Sequence, residues 1–202
     1  MSKHLVYSMK SMKILICSLL FCNLIFTNKQ GFTQNQAKEF SVHLGVFDFT
    51  GEAAREFYKI APSIIMGTNL YKKKNISLKV FTGLSFASVR YNSRRHYLYL
   101  IPLNLIGVYT LTESNTQIQP YFGTGLGIYY KIDKNANLDK AHDSFTYGYI
   151  LNAGFDFPLK KTKILTFDIK YHFVMPPTFE EINYGGIIPS IGIKIPLSHS
   201  SR

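Results

Sequence analysis

The 202-residue chain has no tryptophan, and its two cysteines, Cys17 and Cys22, both stand near its start. Once that start is removed no thiol remains, which excludes disulfides and thiolate metal sites. No run of 18 apolar residues occurs, so a helical span of ordinary length is excluded. Acids are scarce: 12 Asp and Glu stand against 23 Lys and Arg, a formal net charge of +11. No phosphate loop or carboxylate dyad appears, and His43, His96, His142, His172 and His199 lack metal-ligand spacing. The sequence therefore implies no cofactor and no metal. Past residue 37 nothing has the periodicity of a long amphipathic helix.

What is present begins with a leader. Lys3, Lys10 and Lys13 precede an uncharged, mostly apolar run at 14–26, and polar residues follow to Gln36. This is the layout of a secretory signal peptide. A helix of that run rises only about 20 Å, short of a bilayer core. We expect residues 1–35 to be the signal peptide, with cleavage between 30 and 37, and 36–202 to be the mature domain. Removing Lys3, Lys10, Lys13 and Lys29 leaves 19 basic against 12 acidic residues. A basic surface suits nucleic acid, but an exported chain rarely meets it. The lysines also gather in turns, as Lys72, Lys73, Lys74, Lys160 and Lys161 do. Anionic lipid head groups are the expected use of this charge.

The dominant signal is alternation. Ile164, Thr166, Asp168, Lys170 and His172 fall on one side of a strand, and Leu165, Phe167, Ile169, Tyr171 and Phe173 on the other. Eight such stretches are read at 39–49, 60–71, 76–91, 97–111, 117–132, 144–158, 163–174 and 184–197. Several pass ten residues, whereas soluble strands average about five or six and a tilted membrane strand needs about 9–11. The stretch at 97–111 is apolar on both faces and fits less well. Connections alternate in size: 72–75, 112–115 and 159–162 are short, 51–59, 133–143 and 175–183 are longer, and 92–96 is intermediate. Short-long alternation with an even strand number describes an all-β, eight-stranded antiparallel up-and-down transmembrane barrel with both termini on the periplasmic side. Tyr97, Tyr99, Tyr130, Tyr147, Tyr171 and Phe173 lie near strand ends, where aromatic girdles meet the lipid boundary. The rival is a soluble exported barrel that carries a lipid and buries the same apolar faces inside.

One stretch carries a family likeness. Gln119-Pro120-Tyr121-Phe122-Gly123-Thr124-Gly125-Leu126-Gly127-Ile128-Tyr129-Tyr130 resembles the P-Y-x-G-x-G-x-G segment of small OmpX/OmpW-type, porin-like outer-membrane barrels. Ile101-Pro102-Leu103 and Asn152-Ala153-Gly154-Phe155-Asp156 are similar to neighbouring strands in that group, and the likeness covers most of 39–197. The resemblance implies a bacterial outer membrane and an eight-stranded barrel. It also implies partners in outer-membrane lipid, lipopolysaccharide and the outer-membrane insertion machinery. Such chains commonly end on an aromatic residue; this one departs, ending Leu197-Ser198-His199-Ser200-Ser201-Arg202.

Chemistry is sparse. Asp168, Lys170 and His172, joined by Asp156 and Lys194 from adjacent strands, are the candidate polar network of the lumen. Buried charges are tolerable only when paired, so the expected role is a plug that rigidifies the interior; a proton or substrate path is the sharper alternative. His142-Asp143-Ser144 has the spacing of a hydrolase pair at a loop exit, while His172 is followed by Phe173 and Val174, with no nucleophile. Glu52, Arg55, Glu56 and Lys59 suit an exposed helical turn. The expectation is a monomeric, non-enzymatic barrel with a structural or surface-interaction role and no nucleic-acid partner. The alternatives are a narrow channel for small apolar or polar solutes and a lipid A-modifying hydrolase.

Overall fold

The computed structural model describes residues 38–91, 94–111, 118–135, 141–159, 163–176 and 183–197. Residues 1–37, which hold the expected signal peptide, and the last five residues lie outside this set. Eight strands form: β1 (Lys38–Phe49), β2 (Ile60–Lys73), β3 (Ile76–Tyr91), β4 (Arg94–Thr110), β5 (Gln119–Asn135), β6 (Ala141–Pro158), β7 (Ile164–Val174) and β8 (Gly186–Leu197). One short helix, α1 (Glu52–Tyr58), interrupts the β1–β2 connection. Each strand pairs antiparallel with the next, and β8 returns to β1, closing the barrel. Closure removes the open sheet edges, so the backbone groups of each strand are paired with neighbours on both sides as a lipid-embedded sheet requires.

The register fixes the stagger. From Ser41 the pairing runs round through Gly67, Phe81, Asn104, Gly127 and Gly148 to Val174. In the other direction Ser41 meets Lys194, which meets Ile164. The two routes reach β7 ten residues apart, an offset that requires strands inclined to the barrel axis by about 35–45°.

Orientation decides between the two barrels. Phe167 is 42% exposed and Ile191 and Ile193 45% each, while Asp168, Lys170 and Lys194 are 5%, 0% and 2% exposed. The outer wall continues through Leu44, Ile64, Leu105, Leu126, Leu151 and Ile169. Soluble monomers rarely show a continuous apolar patch above a few hundred Å². A belt around the whole barrel therefore belongs in hydrocarbon, and the soluble lipid carrier is excluded.

Both chain ends of the barrel and the tight Lys74–Asn75 connection lie at one rim, the turn end; α1 lies at the other, the loop end. Tyr97, Tyr99, Tyr130, Tyr147, Tyr171 and Phe173 all fall in the loop-end half of their strands. They pack in outward pairs: Tyr130 on Phe145 at 4.5 Å and Tyr171 on Phe173 at 4.2 Å between centroids. Tyr109 on Phe122 does the same toward the turn end.

The sheet exceeds the sequence expectation at the loop end. β5 continues to Asn135 and β6 begins at Ala141, with Lys134 paired to Ala141, so most of the expected 133–143 loop is strand. The Tyr130 hydroxyl donates to Asp143, and this side-chain tie beyond the apolar stretch helps the ladder persist. The expected helical turn is present as α1, but it is not simply exposed. Ala54 and Tyr58 are buried on its inner face.

Candidate functional site: the barrel interior

Alternation carries one residue in two of every strand into the lumen, so the interior is a column of side chains from all eight strands. Toward the turn end that column is ionic. Lys170 of β7 donates to Asp168 on the same face of the same strand at 2.5 Å. Ser190 of β8 donates to the same carboxylate, and the Tyr121 hydroxyl of β5 reaches it at 3.2 Å. His43 Nδ1 of β1 lies 3.2 Å from Asp168 Oδ2, at ion-pair distance but without hydrogen-bond alignment. Lys194 of β8 donates to both oxygens of Asp156 on β6, while its ammonium sits 4.5 Å above the Tyr121 ring. Lys79 of β3 donates to Glu39 of β1 at 3.1 Å. Three lysines are thus matched by three carboxylates within the lumen, which is the condition for holding charge out of water.

Small residues make the room. A Cβ on Gly154 would fall 2.6 Å from the Tyr121 hydroxyl, and one on Gly192 2.6 Å from the His43 ring. Those two glycines let the tyrosine and histidine cross the lumen toward Asp168.

The loop-end half is different in kind. His172 donates to or accepts from the Tyr129 hydroxyl at 2.8 Å and packs against Phe47. Phe47 stacks obliquely on Phe49 at 4.8 Å, and Phe49 meets Tyr58 of α1. Leu98, Leu100, Ala87 and Ile188 complete an apolar wall, all buried. Above them the Tyr58 hydroxyl donates to Asp133 at 3.0 Å, and Lys131 lies 4.5 Å over the Tyr184 ring. α1 is therefore tied to β5 at the loop end. The Tyr58 phenol is pushed well above its usual range, first by burial and then by the charge of Asp133.

The structure divides the five residues singled out from sequence. Asp168 and Lys170 form one pair and Lys194 and Asp156 a second. His172 stands apart with Tyr129. Sequence reasoning missed His43, Glu39, Lys79, Tyr121 and Tyr129; the alternation of β1, which sets Glu39, Ser41 and His43 on one face, was the available signal. Several deeply buried atoms of the middle lumen accept or donate no hydrogen bond among the described residues, including His43 Nε2, Asn104 Oδ1, Asn152 Oδ1 and His172 Nε2. The 97–111 misfit is explained too. Its inward row, Leu98, Leu100, Ile106 and Val108, is the apolar side of the lumen.

A family comparison bears on this architecture. Residues 74–186 match the OmpW family. The chain belongs to the OmpW family. It is an outer-membrane β-barrel of bacteria. Solved barrels share the fold at low identity. OprG from Pseudomonas aeruginosa aligns at 13% identity over 81% of this chain and 97% of its own, with a TM-score of 0.61. Neisserial surface protein A aligns at 13% over 79% and 96%, with a TM-score of 0.57. The N-terminal barrel domain of P. aeruginosa OprF aligns at 13% over 81% and 100%, with a TM-score of 0.53. No curated protein matches the chain by sequence.

Proposed function

We propose that this OmpW-family barrel is non-enzymatic and closed, serving the envelope as a structural and surface-interaction protein. One observation carries the reading. The lumen is occupied along its length by side chains with almost no exposure, from Lys194 at 2% through Lys170 at 0% to Tyr129 and Phe47 at 0%, with α1 above them. Eight strands leave an interior that side chains just fill, and here ion pairs link β1 to β3 and β6 to β8 within it. The asymmetric outer surface, with α1 and long strands at the loop end, is the part available to other molecules.

The hydrolase alternative finds little support. Among the described residues Ser144 Oγ has no hydrogen-bond partner, so His142 is not engaged with it, and the Asp143 carboxylate accepts from Tyr130 instead. A serine nucleophile needs its base within hydrogen-bond reach. The test of the closed reading is planar-bilayer recording with the purified full chain. Silence at moderate voltage is the expected result; regular unitary current steps from the wild-type protein overturn the reading in favour of a narrow channel.

A further inference from the structure

We propose that Arg90, Arg95 and Lys134 form a binding site for the phosphate groups of a phosphorylated glycolipid in the surrounding leaflet. The proposal deepens the surface-interaction reading and rests on it.

The three cations come from three adjacent strands and share the outer wall. Arg90 of β3 lies directly opposite Arg95 of β4, and Lys134 of β5 lies opposite Tyr97, two residues along the same face from Arg95. All three are exposed. Like charges facing each other across a sheet are destabilising, so this pair needs an anion to be favourable. Among the described residues no carboxylate stands within ion-pair distance of any of the three. The acid on the outer row of the next strand, Asp143, is engaged by Tyr130.

Position identifies the anion. Just beneath the cations, toward the membrane, lies a patch of outward aromatics: Phe86 stacks on Tyr97 at 6.1 Å and contacts Tyr99 at 5.1 Å. Aromatic side chains of this kind mark the level where acyl chains give way to head groups. Charges one step beyond that level stand where lipid phosphates lie. Two guanidiniums offer planar, forked donors that match phosphate oxygens, which an ammonium does not. The turn end, by contrast, carries lysines at 72–74 and no described arginine. The arrangement therefore favours a doubly phosphorylated head group over a singly charged phospholipid.

The test titrates fluorescent diphosphoryl lipid A into the full chain folded in maltoside micelles. Wild type is expected to bind saturably and R90Q/R95Q about tenfold more weakly or worse. K72Q/K73Q is expected to bind like wild type, and phosphatidylglycerol to compete poorly. Folding of each variant is read from its heat-modifiable gel migration; if the double variant does not fold, K134Q alone must show a weakening of severalfold. Unchanged affinity in folded R90Q/R95Q (or in K134Q where the double variant does not fold), an equal loss in K72Q/K73Q, or equal competition by phosphatidylglycerol overturns the site. Bilayer recordings on the same preparations read the closed lumen separately, so lost lipid selectivity with silent bilayers removes the site and leaves the barrel reading in place.

Discussion

The two halves of the lumen solve one problem by opposite means. Near the turns, Lys79–Glu39 links β3 to β1, Lys194–Asp156 links β8 to β6, and Lys170–Asp168 pairs along β7, with Tyr121 and Ser190 filling out the Asp168 carboxylate. Near the loops, the walls meet through Phe47, Phe49, Tyr129, Leu98 and Leu100, under a helix that buries Ala54 and Tyr58. The first half is specified by charge, which tolerates no missing partner. The second is specified by volume, which tolerates small changes and relaxes gradually. The turn end should therefore be the brittle half and the loop end the adaptable one.

The largest expected effect follows from breaking the ionic half at its centre. Asp168→Asn keeps the shape but leaves the fully buried Lys170 without its counter-charge. Removing one member of such a pair costs about 3–5 kcal/mol. Urea titration of the folded protein in vesicles should show a midpoint well below wild type. A midpoint close to wild type would mean that Lys170 is neutral or hydrated, and the distinction between halves would collapse.

At the loop end, Phe47→Ala removes a buried ring that touches Phe49 and His172. A cavity of this type costs about 3 kcal/mol or somewhat more. Phe47→Leu should cost much less, whereas no conservative neutral replacement rescues Asp168. The sharper contrast is the double variant D168N/K170M. It should regain most of the stability lost in D168N, because removing both charges together is nearly neutral where removing one is not. Additive losses in a double-mutant cycle would show that the pair is not coupled.

The same contrast explains what the sequence made legible. The ionic half announces itself through alternation: Thr166, Asp168, Lys170 and His172 interleave with Phe167, Ile169 and Tyr171, and only one orientation places that many charges away from lipid. β4 is nearly silent along its whole length. Leu98, Leu100, Ile106 and Val108 face the lumen, while Leu103 and Leu105 of the same strand face lipid, so β4 shows no polarity difference to read. Partnerships were less accessible than faces. His172 reads as a member of the Asp168 group from its spacing, yet each two-residue step along an inclined strand carries a side chain farther up the barrel. There it meets Tyr129 rather than a carboxylate. The inner face of α1 was hidden for another reason. Glu52, Arg55, Glu56 and Lys59 advertise a solvated turn, and nothing local reveals that Ala54 and Tyr58 are the residues that seat it.

The smallest effect tests that seat. Tyr58→Phe removes one hydrogen bond to Asp133 while keeping the ring against Phe49, a loss of about 1 kcal/mol. Its pH dependence carries more information than its size. Below about pH 10 a phenol is protonated in both the folded and the unfolded chain, so the bond contributes fully. Above that, the unfolded chain releases the proton while folded Tyr58, held far above its usual range, keeps it. The unfolded state then binds fewer protons, and stability falls as pH rises. Other groups also titrate in this range, so the informative quantity is the gap between wild type and Y58F. It should be constant from pH 7 to about 9 and narrow above about 10. A gap that stays level through the alkaline range would place the Tyr58 hydroxyl in water, and α1 would then lie at the loop end without its tie to β5.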